Sequence, residues 1–426
     1  MTQSGTHLVH IEKSVYGGAS LARIEGKAVF VPLTLPGEQA RIRVVEEKRG
    51  YATAEVEEIV APAAERIAPA CMHFGACGGC DYQHADHEAQ LRFKQVILRE
   101  TLERAGVSLP AEIEVVSGEP WRYRNRVRLA FDAEGRPGYR GRRSHAVVPI
   151  SECPIAAPTL IKAAMALGDA LRAAAPGLRP NEVSLFCSAD ETALLAGIFL
   201  DHPAKACFDD LARAWREQIP ALAGAELVVE DRRTRQPRTI ARWGATSLTY
   251  RAAGFEYRVD HGSFFQVNRW LVDALADRVA GDRRGKLVWD LYAGVGLFAR
   301  KLTERFERVI AVESAPASLA PLRENLNDTP AQAIHAETLA FLRRQNSVCP
   351  DLIVLDPPRS GLGPETTAQL SRIASPSMVY VSCDPATLAR DLRALTASSY
   401  VIQRIALIDL FPQTFHLETV VELRRN

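Results

Sequence analysis

The stretch Met378-Val-Tyr-Val-Ser-Cys-Asp-Pro-Ala-Thr-Leu-Ala-Arg390 joins a short apolar run to a helical pattern. Residues 378–381 are β-branched, aromatic or otherwise apolar, which is typical of a buried strand, and leucines then recur at helical spacing. The sequence therefore predicts a strand that runs directly into a helix, with Cys383 at the junction.

The residues around this junction favour a reactive thiol. Asp384 is predicted to cap the helix and Pro385 to occupy its first position, so the free N–H groups of the first turn favour a nearby thiolate. An ordinary thiol has a pKa of roughly 8.5 and is only slightly ionised near neutral pH. The negative charge of Asp384 acts in the opposite direction, and the sequence leaves that balance open.

Length and composition indicate a globular protein of several domains. The chain has 426 residues, which predicts two or three domains, and its 47% hydrophobic and 24% charged residues are ordinary values. It contains neither the roughly 20-residue apolar stretch of a membrane span nor the pattern of a secretion signal, so we expect a cytoplasmic protein. Because the net charge is only +1, a polyanion would have to bind to a local basic patch.

Short strand patterns dominate the amino-terminal part of the chain. Residues 7–12, 28–31, 39–46 and 52–60 have strand character and are separated by turns that contain glycine. This spacing predicts a small barrel. The segment resembles the TRAM domain, an OB-like barrel of RNA-modifying enzymes, and the resemblance implies RNA binding. A barrel that only packs on its neighbours is equally consistent with the pattern.

Four cysteines form a candidate metal site. Cys71, Cys77 and Cys80 follow a C-x5-C-x2-C pattern with intervening glycines, and Cys153 lies further along the chain. Closely spaced thiols allow the backbone to wrap a compact inorganic centre, which a fourth soft ligand would complete. Four thiolates also suit a structural zinc ion. Without a secretion signal, the pattern favours a metal site over disulfides.

A basic stretch is the candidate contact for a nucleic-acid backbone. In Trp121-Arg-Tyr-Arg-Asn-Arg-Val-Arg128 every second residue is arginine, so one strand would present all four arginines on the same face. The segment from Ser117 to His145 carries eight arginines and three carboxylates, a net charge of +5 with His145 neutral. This pattern predicts contact with phosphates. A solvated edge strand protected by charge is about equally consistent with it.

The carboxyl-terminal third predicts a doubly wound parallel sheet. Lys286-Leu-Val-Trp-Asp-Leu-Tyr-Ala-Gly-Val-Gly-Leu297 reads as a strand, a glycine turn and the start of a helix, and the next two predicted strands end at Glu313 and Asp356. The glycines allow close approach of a ligand, and Glu313 is placed to bind two ribose hydroxyls. The turn lacks the third glycine of dinucleotide folds and resembles motif I of S-adenosylmethionine-dependent methyltransferases.

Four further motifs accompany the glycine turn. They are Phe264-Phe-Gln-Val-Asn268, Asp356-Pro-Pro-Arg359, Ser382-Cys-Asp-Pro385 and Phe411-Pro-Gln-Thr-Phe-His-Leu-Glu418. Together these motifs resemble the RNA 5-methyluridine (uracil-C5) methyltransferase family over nearly the whole chain. The amino-terminal barrel and the four cysteines are similar to the 23S ribosomal RNA branch of that family.

The resemblance implies methylation of C5 of a uridine in 23S ribosomal RNA by S-adenosylmethionine, with transfer RNA as the alternative substrate. C5 is a weak nucleophile, so a thiolate adds to C6 first, and a base later removes the C5 proton. The implied residues are Cys383 as nucleophile and Glu418 as base, Gln266, Tyr292, Glu313 and Asp356 for the methyl donor, and Cys71, Cys77, Cys80 and Cys153 for a [4Fe-4S] cluster. Leu297, where many members have asparagine, and Glu337, which matches no motif clearly, are left outside the predicted site.

The predicted architecture is α/β with three parts. We expect a TRAM-like barrel over residues 1–62, a central α+β iron–sulfur domain over 63–255 and a Rossmann-like class I methyltransferase domain over 256–426. The helix near 86–106 is a candidate to pack on the catalytic domain. The chain is expected to bind RNA as a monomer and to have no membrane partner.

Each proposed site residue also has a simpler interpretation. Glu418 is then a solvated carboxylate, Gln266 caps a helix, Asp356 ends its strand, and Cys383 is an inert buried thiol. An exocyclic-amine methyltransferase would carry an aromatic residue where this chain has Arg359, and it would need no cysteine. An RNA-binding or redox-sensing protein would need neither Cys383 nor Glu418. The ordered motifs favour the catalytic interpretation.

Overall fold

Almost the whole chain is described by the computed structural model, which covers residues 5–175, 177–230, 237–345 and 347–426. Parts of the predicted segments 1–62, 63–255 and 256–426 lie outside the described residues, namely 1–4, 176, 231–236 and 346. Within the described ranges, no helix combines the length and the apolar character needed to cross a membrane.

The amino-terminal segment forms a closed five-stranded barrel. Its strands are β1 (Thr6–Ser14), β2 (Ala19–Ile24), β3 (Lys27–Pro32), β4 (Gln39–Glu47) and β5 (Tyr51–Ala61). They pair in the order β1-β2-β3-β5-β4, and alternate apolar side chains such as Ile11 and Ile42 fill the interior. The predicted barrel is confirmed. Strand β2 was not predicted, because it is short and lies between two glycine turns.

The central part of the chain contains a seven-stranded sheet with two helices packed against it. The elements in this part are α1 (His87–Arg104), β6 (Glu114–Val116), β7 (Arg126–Phe131), β8 (Pro137–Arg140), β9 (Val147–Pro149), α2 (Pro158–Ala174), β10 (Pro180–Cys187), β11 (Leu194–Leu200), α3 (Phe208–Gln218), β12 (Leu222–Glu230) and β13 (Pro237–Gly244). The sheet order is β13-β12-β11-β10-β7-β8-β9. Buried residues of α2 and α3, including Leu167 and Trp215, share one core with Leu185 of the sheet.

The carboxyl-terminal part is an α/β unit around an eight-stranded sheet. Its elements are β14 (Ser247–Ala252), β15 (Phe255–Asp260), α4 (Val272–Ala280), β16 (Gly285–Leu291), α5 (Leu297–Leu302), β17 (Phe306–Glu313), α6 (Pro316–Asn325), β18 (Ala331–His335), α7 (Thr338–Arg343), β19 (Leu352–Leu355), α8 (Gly363–Ile373), β20 (Ser377–Ser382), α9 (Pro385–Ala397), β21 (Tyr400–Ile408) and β22 (Glu418–Arg425). The strand order is β18-β17-β16-β19-β20-β22-β21-β6. Strands β16 to β20 are parallel, whereas β22 runs antiparallel between β20 and β21.

Two elements from the middle of the chain belong to this second sheet. Strand β6 pairs with β21, and α1 packs on α9 through contacts that include Leu98 and Leu392. The buried ammonium of Lys94 in α1 also donates to Asp409, just after β21, at 2.6 Å. The segment predicted as the central domain therefore contributes to two sheets. The sequence did not predict β6, because three residues are too few to show an alternating pattern.

The sheet topology brings the ends of four strands to one edge. Parallel strands β16, β17, β19 and β20 end near Tyr292, at Glu313, just before Asp356 and just before Cys383. Strand β22 runs the opposite way and starts at Glu418, and its next residue, Thr419, pairs with Ser382. Residues far apart in sequence therefore meet at this edge, which is where ligands bind in open α/β sheets.

Candidate active site

Cys383 lies at the predicted strand-to-helix junction, partly buried. The side chain of Asp384 caps α9 by accepting from the N–H groups of Ala386 and Thr387 at 3.0 and 2.9 Å, and Pro385 is the first helical residue. The predicted cap is thus confirmed. Burial, and then the charge of Glu418, raise the pKa of the Cys383 thiol to about 11.

Glu418 is the first residue of β22 and lies close enough to Cys383 for its charge to act on the thiol. Its side chain is only 4% exposed, so the interpretation as a solvated carboxylate is wrong. Burial, followed by the nearby charge of Asp356, raises its pKa well above the usual range. Once ionised, a carboxylate with a raised pKa is a stronger base than an ordinary one.

Arg359 supplies positive charge to this acidic site. The guanidinium lowers the pKa of Cys383 by its charge and by a hydrogen bond, and it also opposes the rise in the pKa of Glu418. It contacts the ring of His416 at 3.3 Å, and burial and Arg359 together lower the pKa of that histidine to about 4. Neither residue was predicted as a site residue. The sequence signal that could have identified Arg359 was its place three positions after Asp356, the carboxylate that follows a predicted strand.

A second pocket at the same edge contains residues predicted for the methyl donor. Gln266, Tyr292 and Asp356 line one cavity together with Gly294 of the glycine turn. Glu313 lies beside it and accepts from the N–H of Gly294 at 2.7 Å. Burial raises the pKa of Asp356 to about 7. The four predicted residues therefore come together.

A further acid, Asp290, lies near the end of β16 at this edge of the sheet. Asp290 is fully buried, and neither of its carboxylate oxygens has a hydrogen-bond partner among the described residues. Burial and the charges of Asp356 and Glu313 raise its pKa well above the usual value. Such a group of desolvated acids favours a ligand that brings positive charge.

The four predicted metal ligands line a single cavity. Cys71, Cys77, Cys80 and Cys153 surround a space of about 340 Å³, which is also lined by Arg359 and His416. Electrostatic interactions link Cys77 to Cys71 and Cys153, and Cys80 to Cys77 and Cys153. In the described part of the chain, no three metal-ligating side chains lie close enough together to hold a single metal ion.

The arginine-rich stretch differs from its prediction. Burial alternates as expected, but the strand begins only at Arg126, and Arg122 has a left-handed backbone with φ of 51°. The partly buried guanidinium of Arg126 lies over the ring of Phe186 at 4.3 Å. The predicted alternation of the four arginines is therefore present, but the regular strand contains only two of them, and aromatic rings and carboxylates of adjacent strands engage part of the set.

Arg128 illustrates this pairing. Its guanidinium bonds to Glu182 on β10 at 2.5 Å and stacks on Phe199 of β11. Arg124 donates to the carbonyl oxygen of Arg126 and, like Arg128, lines the cysteine cavity. The charge of Arg124 also acts on His416, which connects this part of the stretch to the candidate active site.

The fold and this sheet edge together define a methyltransferase. The chain superposes on a tRNA (uracil-54, C5)-methyltransferase of Pyrococcus abyssi, solved in complex with S-adenosyl-L-homocysteine, with a TM-score of 0.78 over 98% of this chain and all of that one. The two chains are 23% identical, so this similarity establishes the fold.

Sequence comparisons then identify the family. The model described as tRNA (Uracil-5-)-methyltransferase matches residues 241–426, and the TRAM domain model matches residues 5–56. The chain is 34% identical to the 23S rRNA (uracil(1939)-C(5))-methyltransferase RlmD of Halomonas elongata, over 97% of this chain and 88% of that protein. It is 31% identical to an uncharacterized RNA methyltransferase of Thermotoga maritima, over 97% and 98%. The chain belongs to the RNA (uracil-C5)-methyltransferase family.

Proposed function

We propose that this enzyme methylates C5 of a uridine in 23S ribosomal RNA, with S-adenosylmethionine as methyl donor and a covalent bond between Cys383 and C6 as the key intermediate. The observation that carries the proposal is the meeting of Cys383, Glu418 and Arg359 at one sheet edge. A thiol, a buried carboxyl group and a cation are the groups that this chemistry needs.

Cys383 activates the pyrimidine. Its thiolate forms a bond to C6, the C5–C6 double bond opens, and the electron pair becomes available at C5 as an enolate. Bound S-adenosylmethionine supplies the methyl group that C5 acquires. With a pKa of about 11 in the free protein, the thiol is almost entirely protonated near neutral pH. Arg359 favours the thiolate, as would a cationic ligand in the adjacent acidic pocket.

Glu418 completes the reaction. Its carboxylate accepts the proton from C5, the C5–H electrons restore the C5–C6 double bond, and the bond between C6 and Cys383 breaks to release the thiolate. The charge of Arg359 opposes the effect of burial and favours the ionised form of Glu418. The guanidinium therefore supports both the nucleophile and the base.

The residues of the second pocket fit the methyl donor. S-adenosylmethionine carries positive charge on its sulfonium and amino groups, and the carboxyl groups of Asp356, Asp290 and Glu313 at the same edge would be favoured in their ionised forms beside such a ligand. Glu313 ends β17, where an acid can bind ribose hydroxyls, and the glycine turn permits close approach. We propose that Gln266 and Tyr292 complete the contacts.

We propose a [4Fe-4S] cluster on Cys71, Cys77, Cys80 and Cys153. The support is that the four thiols line one cavity, since closely spaced thiolates suit a compact iron–sulfur centre. The methyl transfer contains no redox step, so the cluster would have a structural or RNA-positioning role. Because the cavity reaches Arg359 and His416, that role would extend to the active site.

The variant Cys80→Ser tests the cluster. Cys80 is the only buried thiol among the four cysteines, and a serine oxygen is a poor ligand for iron, so we expect most of the iron and inorganic sulfide to be lost. Both are measured per chain after anaerobic purification. The exposed Cys207 is the matched control, and Cys207→Ser should retain both. Zinc in place of iron in the unmodified protein would contradict the assignment.

The substrate is tested with separate RNA pools. The relative from Halomonas elongata is named for 23S ribosomal RNA at 34% identity, which supports this substrate over transfer RNA. Unmodified 23S ribosomal RNA and transfer RNA are incubated with labelled S-adenosylmethionine, and the modified nucleotide is mapped. We expect label as 5-methyluridine in the ribosomal RNA alone. Labelling of transfer RNA alone would reverse the assignment.

Each of the three predicted segments has its own proposed role. We propose that the barrel contacts RNA outside the catalytic pocket, that the central segment carries the cluster, and that the carboxyl-terminal segment performs the transfer. We propose that the enzyme acts as a monomer. Ribosomal RNA as the substrate implies activity in the cytoplasm.

A further inference from the structure

A side chain of the amino-terminal barrel forms a hydrogen bond with the residue that follows the proposed nucleophile. Tyr16, in the turn between β1 and β2, donates its hydroxyl hydrogen to Asp384 Oδ2 at 3.2 Å, across 368 positions of sequence. Its ring meets that of Phe415 edge-on, with centroids 5.3 Å apart. The charge of Cys383 also acts on the tyrosine. The barrel thus contacts the residue directly after Cys383.

Close packing fixes this turn in position. Gly18 has φ of +82°, and a Cβ atom there would lie 2.7 Å from the carboxyl carbon of Asp81. The N–H of Asp81 donates to the carbonyl oxygen of Gln413 at 2.9 Å, and its carboxylate pairs with Arg142 at 3.1 Å. Only a glycine fits this approach. The turn that carries Tyr16 therefore rests on a residue bonded to the 411–418 motif.

Both carboxylate oxygens of Asp384 accept hydrogen bonds. Oδ1 accepts from the first turn of α9, and Oδ2 accepts from Tyr16. Without the tyrosine hydroxyl, Oδ2 of the residue next to Cys383 would lose this hydrogen bond, which offsets part of its negative charge. A less compensated carboxylate disfavours a neighbouring thiolate.

We propose that Tyr16 is a positioning residue for Cys383, so that the barrel completes the catalytic site as well as contacting RNA. The proposal rests on the role proposed above for Cys383. Tyr16 acts through Asp384, by fixing the carboxylate and balancing its charge.

The test is the reactivity of Cys383 in the variant Tyr16→Phe, which keeps the ring and removes the hydroxyl. The full chain is treated with iodoacetamide at fixed pH without RNA, and alkylation of the peptide containing Cys383 is followed by mass spectrometry. We expect alkylation to slow about three- to tenfold, which corresponds to a rise in the thiol pKa of about half a unit to one unit. The kcat for methylation should fall similarly, while KM for RNA changes less than about twofold.

Two controls separate positioning from general destabilisation. Tyr400→Phe also removes one hydrogen bond of a tyrosine hydroxyl, to the carbonyl oxygen of Ser375. Tyr400 lies in the sheet that carries Cys383 but at its opposite end, so this variant should leave Cys383 alkylation unchanged. Gly18→Ala should reproduce the Tyr16→Phe effect by displacing the turn. Gly254→Ala has a similar φ of +85° with open space around its Cβ, and should have no effect on alkylation.

The outcomes distinguish this proposal from the proposed mechanism. Unchanged alkylation and unchanged kcat in Tyr16→Phe would overturn the positioning role. A fall in RNA affinity alone, with normal alkylation, would also overturn it and assign Tyr16 to RNA binding. Slower alkylation in a protein whose methylation survives Cys383→Ala would retain the contact but refute the covalent mechanism.

Discussion

Replacement of Cys383 by alanine is expected to abolish methylation and to eliminate the covalent complex with RNA that contains 5-fluorouridine. Uracil C5 gains its nucleophilic character only when a thiolate adds to C6, and Cys383 is the thiol on which the charges of both Glu418 and Arg359 act. We expect the rate to fall on the order of 10⁴-fold or more. The measurement is transfer of labelled methyl groups, together with denaturing gel analysis of the protein–RNA complex.

The matched control for this experiment is Cys349→Ala. Cys349 is an exposed thiol that lies before β19, where it contacts backbone carbonyls, and its loss should leave both readouts unchanged. Methylation at an undiminished rate in Cys383→Ala would refute the nucleophile assignment.

Replacement of Glu418 by glutamine is expected to separate methylation from release. The amide cannot accept the C5 proton, so the methylated uridine should stay bonded to Cys383 after transfer. With ordinary RNA, the variant should accumulate a stable protein–RNA complex that carries one methyl group per chain. Turnover should fall about 10²- to 10⁴-fold, the usual contribution of a general base. Gel analysis with label in the methyl group measures both quantities.

Glu422→Gln is the control for Glu418, because both acids lie on β22. Glu422 forms ion pairs with Arg278 and Arg283 at the other end of the strand, so its loss should reduce stability without trapping RNA. Multiple turnovers by Glu418→Gln, with RNA released normally, would contradict its role as the base.

Local patterns in the sequence were sufficient for the elements around the nucleophile. The apolar run before Cys383 forms β20, and Asp384 caps α9 with Pro385 in its first position. These predictions succeed because capping and hydrophobic periodicity depend on residues within a few positions of each other. The barrel was predicted for the same reason, from turns and alternating strands.

Contacts between distant segments were beyond such patterns. The contact of Arg126 with Phe186 was not predicted, because Phe186 lies on another strand. The roles of Arg359 and His416 were not predicted, because their pairing joins two loops at the sheet edge. Strand β6 was missed because it gains its identity only by pairing with β21.

The sequence by itself determined the family motifs, the barrel, the glycine turn and the residue types available for chemistry. The tertiary structure alone decided that Glu418 is buried near Cys383, that the charge of Arg359 acts on both, and that Tyr16 of the barrel bonds to Asp384. The physical reason is that the charge state of a group depends on its burial and on nearby charges, and both arise only when strands distant in sequence are paired.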